Sequence, residues 1–280
     1  MESPFLFGKT VKGEAFVNRK SERQRLANNF NSGISTILIS PRRYGKSSLV
    51  RQVALDIQDQ PVRFVFIDLF NIRTEEDFYH VYLQQVLKAT LPKQNELLKA
   101  GKEFFKKIVP VISFSIDPQN DLKVNFNWDE VKKTKEEILN LPEQIAQKKG
   151  FKVVVCIDEF QNISFMQNQL EIEKELRSCW QHHQAVAYCL YGSKRHMLKD
   201  IFNKEERPFY RFGDMIALGR INQDEWIEFI CNSFNRTQKT IEVSLAESIA
   251  TIAENHPYYV QQLSHIVWGL TSTDAKEEIL

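Results

Sequence analysis

Ser40-Pro41-Arg42-Arg43-Tyr44-Gly45-Lys46-Ser47-Ser48 follows the apolar run Ile37-Leu38-Ile39 and opens a helical pattern. A strand, a tight loop ending Gly-Lys-Ser and then a helix is the arrangement that the phosphates of a nucleoside triphosphate require. Loop N–H groups and the positive helix N-terminus face the phosphate oxygens. Lys46 would bring a mobile positive charge to the β- and γ-phosphates, and the Ser47 hydroxyl a ligand for Mg2+. The Walker pattern wants glycine at its first position, and this chain has Ser40 there. Glycine serves where the backbone is strained or approaches a ligand closely. A small serine is expected to be accommodated, because Gly45-Lys46-Ser47 is intact. The bland alternative is a Gly-Lys-Ser turn that only caps a helix.

A second element answers the first. Val153-Val154-Val155-Cys156-Ile157 runs into Asp158-Glu159. An unbroken apolar run rich in β-branched residues reads as a strand buried on both faces of a parallel sheet. Its C-terminal end, where open α/β sheets bind ligands, carries two carboxylates. Asp158 would hold Mg2+, directly or through its water. Glu159 is placed to orient and deprotonate an attacking water. A solvated acidic turn explains one such motif, but it explains poorly two in this order. The aspartate falls on the third predicted strand, and the Asp-Glu pair favours hydrolysis over phosphoryl transfer to a small molecule.

The rest of the chain bounds the reading. Its 280 residues suit one large and one smaller domain. Apolar residues make up 42% and charged residues 26%, ordinary globular values that permit a sizeable core. The net charge of +1 offers no global field for nucleic acid, so any basic surface must be local. No apolar run reaches about 18 residues, so no membrane span is expected. Met1-Glu2-Ser3-Pro4 lacks a charged-then-apolar leader. Cys156, Cys179, Cys189 and Cys231 have no metal-type spacing, and Cys156 and Cys189 fall on apolar strands. Buried reduced thiols and a cytoplasmic location are therefore expected.

Along the chain, Phe16-Val17-Asn18-Arg19 leads into a helix with Leu26 and Phe30. The loop helix is expected over 46–59, a strand over 62–69, and a helix capped by Thr74-Glu75-Glu76-Asp77. Alternation around Phe114 and Val124 predicts a β-hairpin inserted at about 109–127, turning at 117–121. A polar helix follows over 130–149. Ala185 to Tyr191 and Met215 to Leu218 read as the remaining strands. Three helical patterns close the chain, near 224–234, 244–254 and 257–270, the middle one opening on a Ser244-Leu245-Ala246-Glu247 capping box. The boundary between the α/β part, 1–221, and the helical part, 222–280, is placed at Arg220-Ile221-Asn222. His182-His183 precede a strand with no third metal ligand and read as a solvated turn. Lys106-Lys107 and Lys132-Lys133-Thr134-Lys135 read as solvated helix faces. The 20 phenylalanines fall mostly at core spacings.

These residues together resemble the prokaryotic ATPases of the STAND clade, relatives of AAA+ proteins, and within them a predicted ATPase family first described mainly from archaea. The resemblance covers nearly all of the chain. It rests on Phe16-Val17-Asn18-Arg19, the Pro-Arg-Arg-Tyr-Gly-Lys-Ser loop, Ile67-Asp68-Leu69-Phe70-Asn71 and Ile157-Asp158-Glu159-Phe160-Gln161. It continues in Tyr191-Gly192-Ser193, Pro208-Phe209-Tyr210-Arg211 and His256-Pro257-Tyr258.

The resemblance implies a P-loop NTPase fold: a parallel five-stranded sheet whose Walker A and Walker B strands are separated by an inserted strand, then a small all-α lid. It implies ATP/ADP with Mg2+ as ligands. Ser193 would be the polar sensor between Glu159 and the γ-phosphate, or else a cap of the following helix. Arg211 would reach the γ-phosphate, in cis or from a neighbour, with Arg207 as its rival and a solvated loop arginine as the plain alternative. Arg19 would lie by the adenine, or simply start a helix at the surface. His256-Pro257 would set the lid helix against the nucleotide; proline is also favoured in any helix's first turn. Arg42 and Arg43 would clamp phosphates, point to solvent or pair with the hairpin. A nucleotide-regulated module is the leading expectation, with a protein partner or self-association left open. The alternatives are the ATPase module of an origin-binding or transposition-like DNA protein, and a nucleotide-binding scaffold without turnover.

Overall fold

Five short apolar runs pair into one sheet: β1 (Thr36–Ile39), β2 (Val62–Asp68), β5 (Lys152–Asp158), β6 (Val186–Gly192) and β7 (Asp214–Ala217), in the order β2-β5-β6-β1-β7. The computed structural model describes residues 2–17, 19–90, 112–116 and 122–275. The pairs β2–β5, β5–β6 and β1–β6 are parallel. β6 thus lies between the strand that feeds the Gly-Lys-Ser loop and the strand that ends in Asp158. Register brings their C-terminal ends to one edge: Asp68 is opposite Asp158, Ile157 opposite Leu190, and Ile39 opposite Gly192. β1 and β6 are buried throughout, as an unbroken apolar run demands when both faces are covered.

The chain divides into two units. One, Ala27–Ile39 and Ile57–Ile216, carries the sheet. Helices α3 (Glu75–Thr90), α5 (Lys135–Lys149) and α6 (Gln169–Trp180) belong to it, as does α7 (Arg195–Asn203). Phe78, Tyr82 and Val86 of α3 share a core with Ile138 and Ile145 of α5, Leu176 of α6 and the strand residues Val65, Val155 and Tyr188. Thr74 caps α3, its Oγ1 accepting from the Asp77 N–H at 3.1 Å and donating to the Asp77 carboxylate at 2.6 Å. The inserted strands β3 (Ile112–Ile116) and β4 (Leu122–Phe126) pair antiparallel, Phe114 opposite Val124. The turn at 117–121, Lys106-Lys107 and Asn18 lie outside the described residues.

The other unit comprises Met1–Leu26, Ser40–Asp56 and Ala217–Leu280. It holds α2 (Lys46–Asp56), α8 (Gln223–Arg236), α9 (Val243–Ile252) and α10 (Pro257–Leu270), and the two-residue strands β8 (Thr240–Ile241) and β9 (Asp274–Ala275). Its core joins Trp226, Ile230 and Phe234 to Leu245, Ile249, Val260 and Val267, with Phe5 and Val17 of the N-terminal arm. The unit boundary, between Leu26 and Ala27, falls within helix α1 (Lys20–Ser32), whose Leu26 and Phe30 are buried.

Three expectations need correction. The polar helix over 130–149 is two helices: a single turn α4 (Trp128–Val131), capped by Asn127 through the Asp129 N–H at 3.0 Å, and then α5, for which Thr134 takes the N-cap position. Ser244 is not a cap. It lies inside the first turn of α9, behind Glu242 in extended conformation, and no side chain caps that end. The loop helix stops at Asp56, three residues short of 59. No helix among the described residues is long and apolar enough to cross a membrane.

Candidate active site

The carboxylate cluster is built at the C-terminal edge of the sheet. Asp158 ends β5, and its Oδ1 accepts the backbone N–H of Glu159 at 2.8 Å. Glu159 itself takes a left-handed backbone, φ 51° and ψ 41°, where a Cβ is disfavoured. That turn swings its side chain off the strand line and starts a short 3-10 segment, Phe160–Phe165. The segment is tied to the end of β2, since the Asn162 side chain donates to the Leu69 carbonyl at 3.0 Å. Ser193, one residue past β6, donates its Oγ proton to the Glu159 carboxylate, 3.1 Å from Oε1 and 3.0 Å from Oε2. Gln161 Nε2 donates to Glu159 Oε2. Ser193 does not cap α7; Lys194 holds that position without a side-chain bond.

The phosphate loop belongs to the other unit. Gly45 has φ +84°, a conformation that any other residue would adopt only with strain. Arg43 adopts φ +67° without being glycine. Lys46 Nζ lies within the loop, 3.3 Å from the Ser40 carbonyl, 3.3 Å from Ser40 Oγ and 3.1 Å from the Pro41 carbonyl. Ser40 is buried and its hydroxyl donates to the Pro41 carbonyl at 3.0 Å, so serine fits where the motif wants glycine. α2 has no acidic residue in its first turn to oppose an anion. Ser47 is half-buried there, and Ser48 Oγ accepts the Val11 N–H at 3.1 Å. A cationic loop at a helix N-terminus with a glycine at positive φ has the chemistry of a polyphosphate cradle.

Residues of the C-terminal helical segment meet this loop within the same unit. The Arg43 guanidinium stands over the Tyr258 ring, 4.3 Å from its centroid. The Tyr44 and His256 rings meet edge to face at 4.9 Å. His256 caps α10, its Nδ1 accepting from the Tyr258 N–H at 3.3 Å, and Pro257 starts that helix. Burial lowers the His256 pKa, which keeps Nδ1 an acceptor, and Arg220 and Arg43 act in the same direction. Arg19 is buried, not a surface residue. It donates to the Tyr44 carbonyl at 3.2 Å and the Gly219 carbonyl at 2.9 Å, and pairs with Glu22 at 3.0 Å. Arg42 is exposed.

A family model described as AAA domain matches residues 31–199, more than half of the chain. The chain belongs to the AAA domain family. Solved structures agree on the fold. The Walker-type ATPase PABY2304 of Pyrococcus abyssi superposes with TM-score 0.64 at 18% identity, over 92% of this chain and 69% of that one. ORC2 of Aeropyrum pernix, solved as ADPNP–ADP complexes, gives TM-score 0.59 at 14% identity over 93% and 66%. The RuvB Holliday junction branch migration motor of Thermotoga maritima gives 0.55 at 13% over 95% and 68%. This chain therefore spans about two thirds of each. No curated protein matches the sequence.

In this AAA domain the two candidate sensor arginines have different surroundings. Arg207 is bound to Glu173, its Nε donating to Oε2 at 3.0 Å and its second nitrogen to Oε1. Arg211 is exposed, with φ +50°, and its guanidinium lies 5.0 Å from the Tyr210 ring centroid. His183 is no solvated turn: its Nδ1 meets the Tyr188 hydroxyl at 2.8 Å and its Nε2 the Asn140 Oδ1 at 2.9 Å. Among the described residues no cluster of three His, Cys, Asp or Glu could hold a metal. The contact of Gln161 with Glu159 is not legible in the sequence. The family resemblance includes it in the Ile157-to-Gln161 motif without a role, and its place two residues after Glu159 carries no geometry until the left-handed turn is known.

Proposed function

We propose that this AAA-domain chain binds Mg-ATP and hydrolyses it, acting as a regulatory ATPase of the STAND type whose helical lid, 222–280, follows the nucleotide state. The observation that carries this reading is the Glu159 carboxylate. It sits past the strand end, on a left-handed turn, with Ser193 Oγ bonded to it. Backbone strain of this kind gathers at active sites and switch regions.

In this reading Ser40 to Ser48 wrap the phosphates through backbone N–H groups, and Lys46 neutralises them. Ser47 and Asp158 would be the Mg2+ ligands; when bound, the ion offsets the charge on the transferring phosphoryl group. Glu159 takes the proton of the attacking water on a carboxylate oxygen, while Ser193 keeps that carboxylate aimed. Arg211 stabilises charge that develops on the γ-phosphate. Arg19, His256 and Pro257 form the base side of the site, and Arg43 on Tyr258 with Tyr44 on His256 link loop to lid. A cytoplasmic setting and regulation by a protein partner or by self-association accompany this role.

Turnover of the wild type and Glu159→Gln, with calorimetry on Lys46→Ala, tests the reading. Loss of hydrolysis with retained ATP binding is expected for the first, and loss of binding for the second. Equal turnover in wild type and Glu159→Gln would remove Glu159 from the mechanism. A DNA-transaction role is a second reading, favoured by the likeness to ORC2 and RuvB. It requires salt-dependent duplex binding, and the net charge of +1 counts against it.

A further inference from the structure

We propose that Gln161 is a positioning residue for Glu159, and that Gly192 is glycine because the Gln161 amide occupies the space its side chain would need. The inference rests on Glu159 acting as the base.

Gln161 is 1% exposed, with no access to solvent that would explain a polar side chain there. Its Nε2 donates to Glu159 Oε2, and its Oε1 is buried without a hydrogen-bond partner among the described residues. An unpaired buried carbonyl opposes folding, so the amide is held by what its other end does. The reverse orientation would set a carbonyl oxygen against the carboxylate. A Cβ built on Gly192 would overlap Gln161 Oε1, stand 3.0 Å from its Cδ and come within 3.4 Å of the Glu159 Cα. The strand that brings in Ser193 therefore also forms the wall behind Gln161.

The consequence concerns orientation. Ser193 Oγ spans both carboxylate oxygens, at 3.1 and 3.0 Å, which alone leaves the group free to pivot about that hydroxyl. A second donor on Oε2, arriving from the 3-10 segment, removes the pivot. A base displaced by about 1 Å loses on the order of a hundred-fold in rate.

The test uses the full chain with Gln161→Met, which keeps the side chain's volume and removes the donor, with Gln161→Ala, with Gly192→Ala, and with the last two combined. Glu159→Gln serves as reference, and melting curves are recorded for all. Gln161→Met should lower kcat by roughly ten- to hundred-fold with KM within about two-fold. A purely structural role would lower the melting temperature without this selective loss of kcat. Gly192→Ala should show a comparable loss alone. Added to Gln161→Ala, whose short side chain vacates the space, it should cost no more than about two-fold further and no additional melting temperature. Glu159→Gln at the wild-type rate overturns the base reading. Glu159→Gln inactive with Gln161→Met at the wild-type rate overturns this inference alone, as do Gly192→Ala and Gln161→Ala effects that multiply independently.

Discussion

Arg207→Ala is expected to unfold the chain more readily while sparing the chemistry. Glu173 on α6 is fully buried, and it accepts from Arg207 through both oxygens and from Gln169 Nε2 at 2.8 Å. Breaking a buried pair by removing one partner costs about 3–5 kcal/mol, because the other charge is left without compensation. The Arg207 side chain is 21% exposed, and water entering from its side screens part of that charge, so the lower end, about 3 kcal/mol, is the expectation. For a chain of this length that is a fall of about 6 °C in melting temperature.

The loss should depend on pH, with a sign set by the carboxylate. Burial already pushes the Glu173 pKa up, against the Gln169 and Arg207 bonds that lower it. Without Arg207 it climbs further, and the folded chain then binds a proton that the unfolded chain does not. Stability of the variant should therefore rise as pH falls through the raised value, and be poorest above it. Urea unfolding at pH 8 and pH 5.5 reads this directly. Replacing both residues by methionine should recover most of the loss, since an apolar pair leaves no stranded charge. A variant as stable as wild type at pH 8, or a loss indifferent to pH, refutes the reasoning. Lost turnover at unchanged stability would make Arg207, not Arg211, the arginine that acts on phosphate.

Two further outcomes can be checked by unfolding alone. Glu159→Gly should be more stable than Glu159→Ala by about 1 kcal/mol, since only glycine is unstrained in the left-handed turn; melting in the opposite order would place the strain elsewhere. His183 is held neutral chiefly by burial, its pKa lowered to about 4. The unfolded imidazole protonates near its ordinary value while the folded one does not, so stability contributed by His183 is lost as pH falls from about 6.5 to about 4, by up to about 3 kcal/mol. Urea midpoints of His183→Gln should change less across that range, and a parallel pH curve would exclude His183 as the cause.

Local signals were enough for the strands and the C-terminal helices, because each depends on neighbours in sequence. An unbroken β-branched run has to be buried on both faces, and Gly-Lys-Ser after such a run has to meet a helix N-terminus. Even there, local chemistry misled at Ser244, where the capping pattern is present but the helix begins one residue earlier. The position of β6 between β1 and β5 came with the family resemblance, not with any periodicity.

What the linear order of residues determined was the α/β frame and the two motifs it carries at its strand ends, Gly45-Lys46-Ser47 and Asp158-Glu159. Only the folded chain decided which partners its charges took. Arg207 met Glu173 across 34 residues, His183 met Asn140 across 43, and Gln161 filled the space beside Gly192. Such pairings depend on how strands register and on which side chains lose water together, and neither is encoded in any short stretch of sequence.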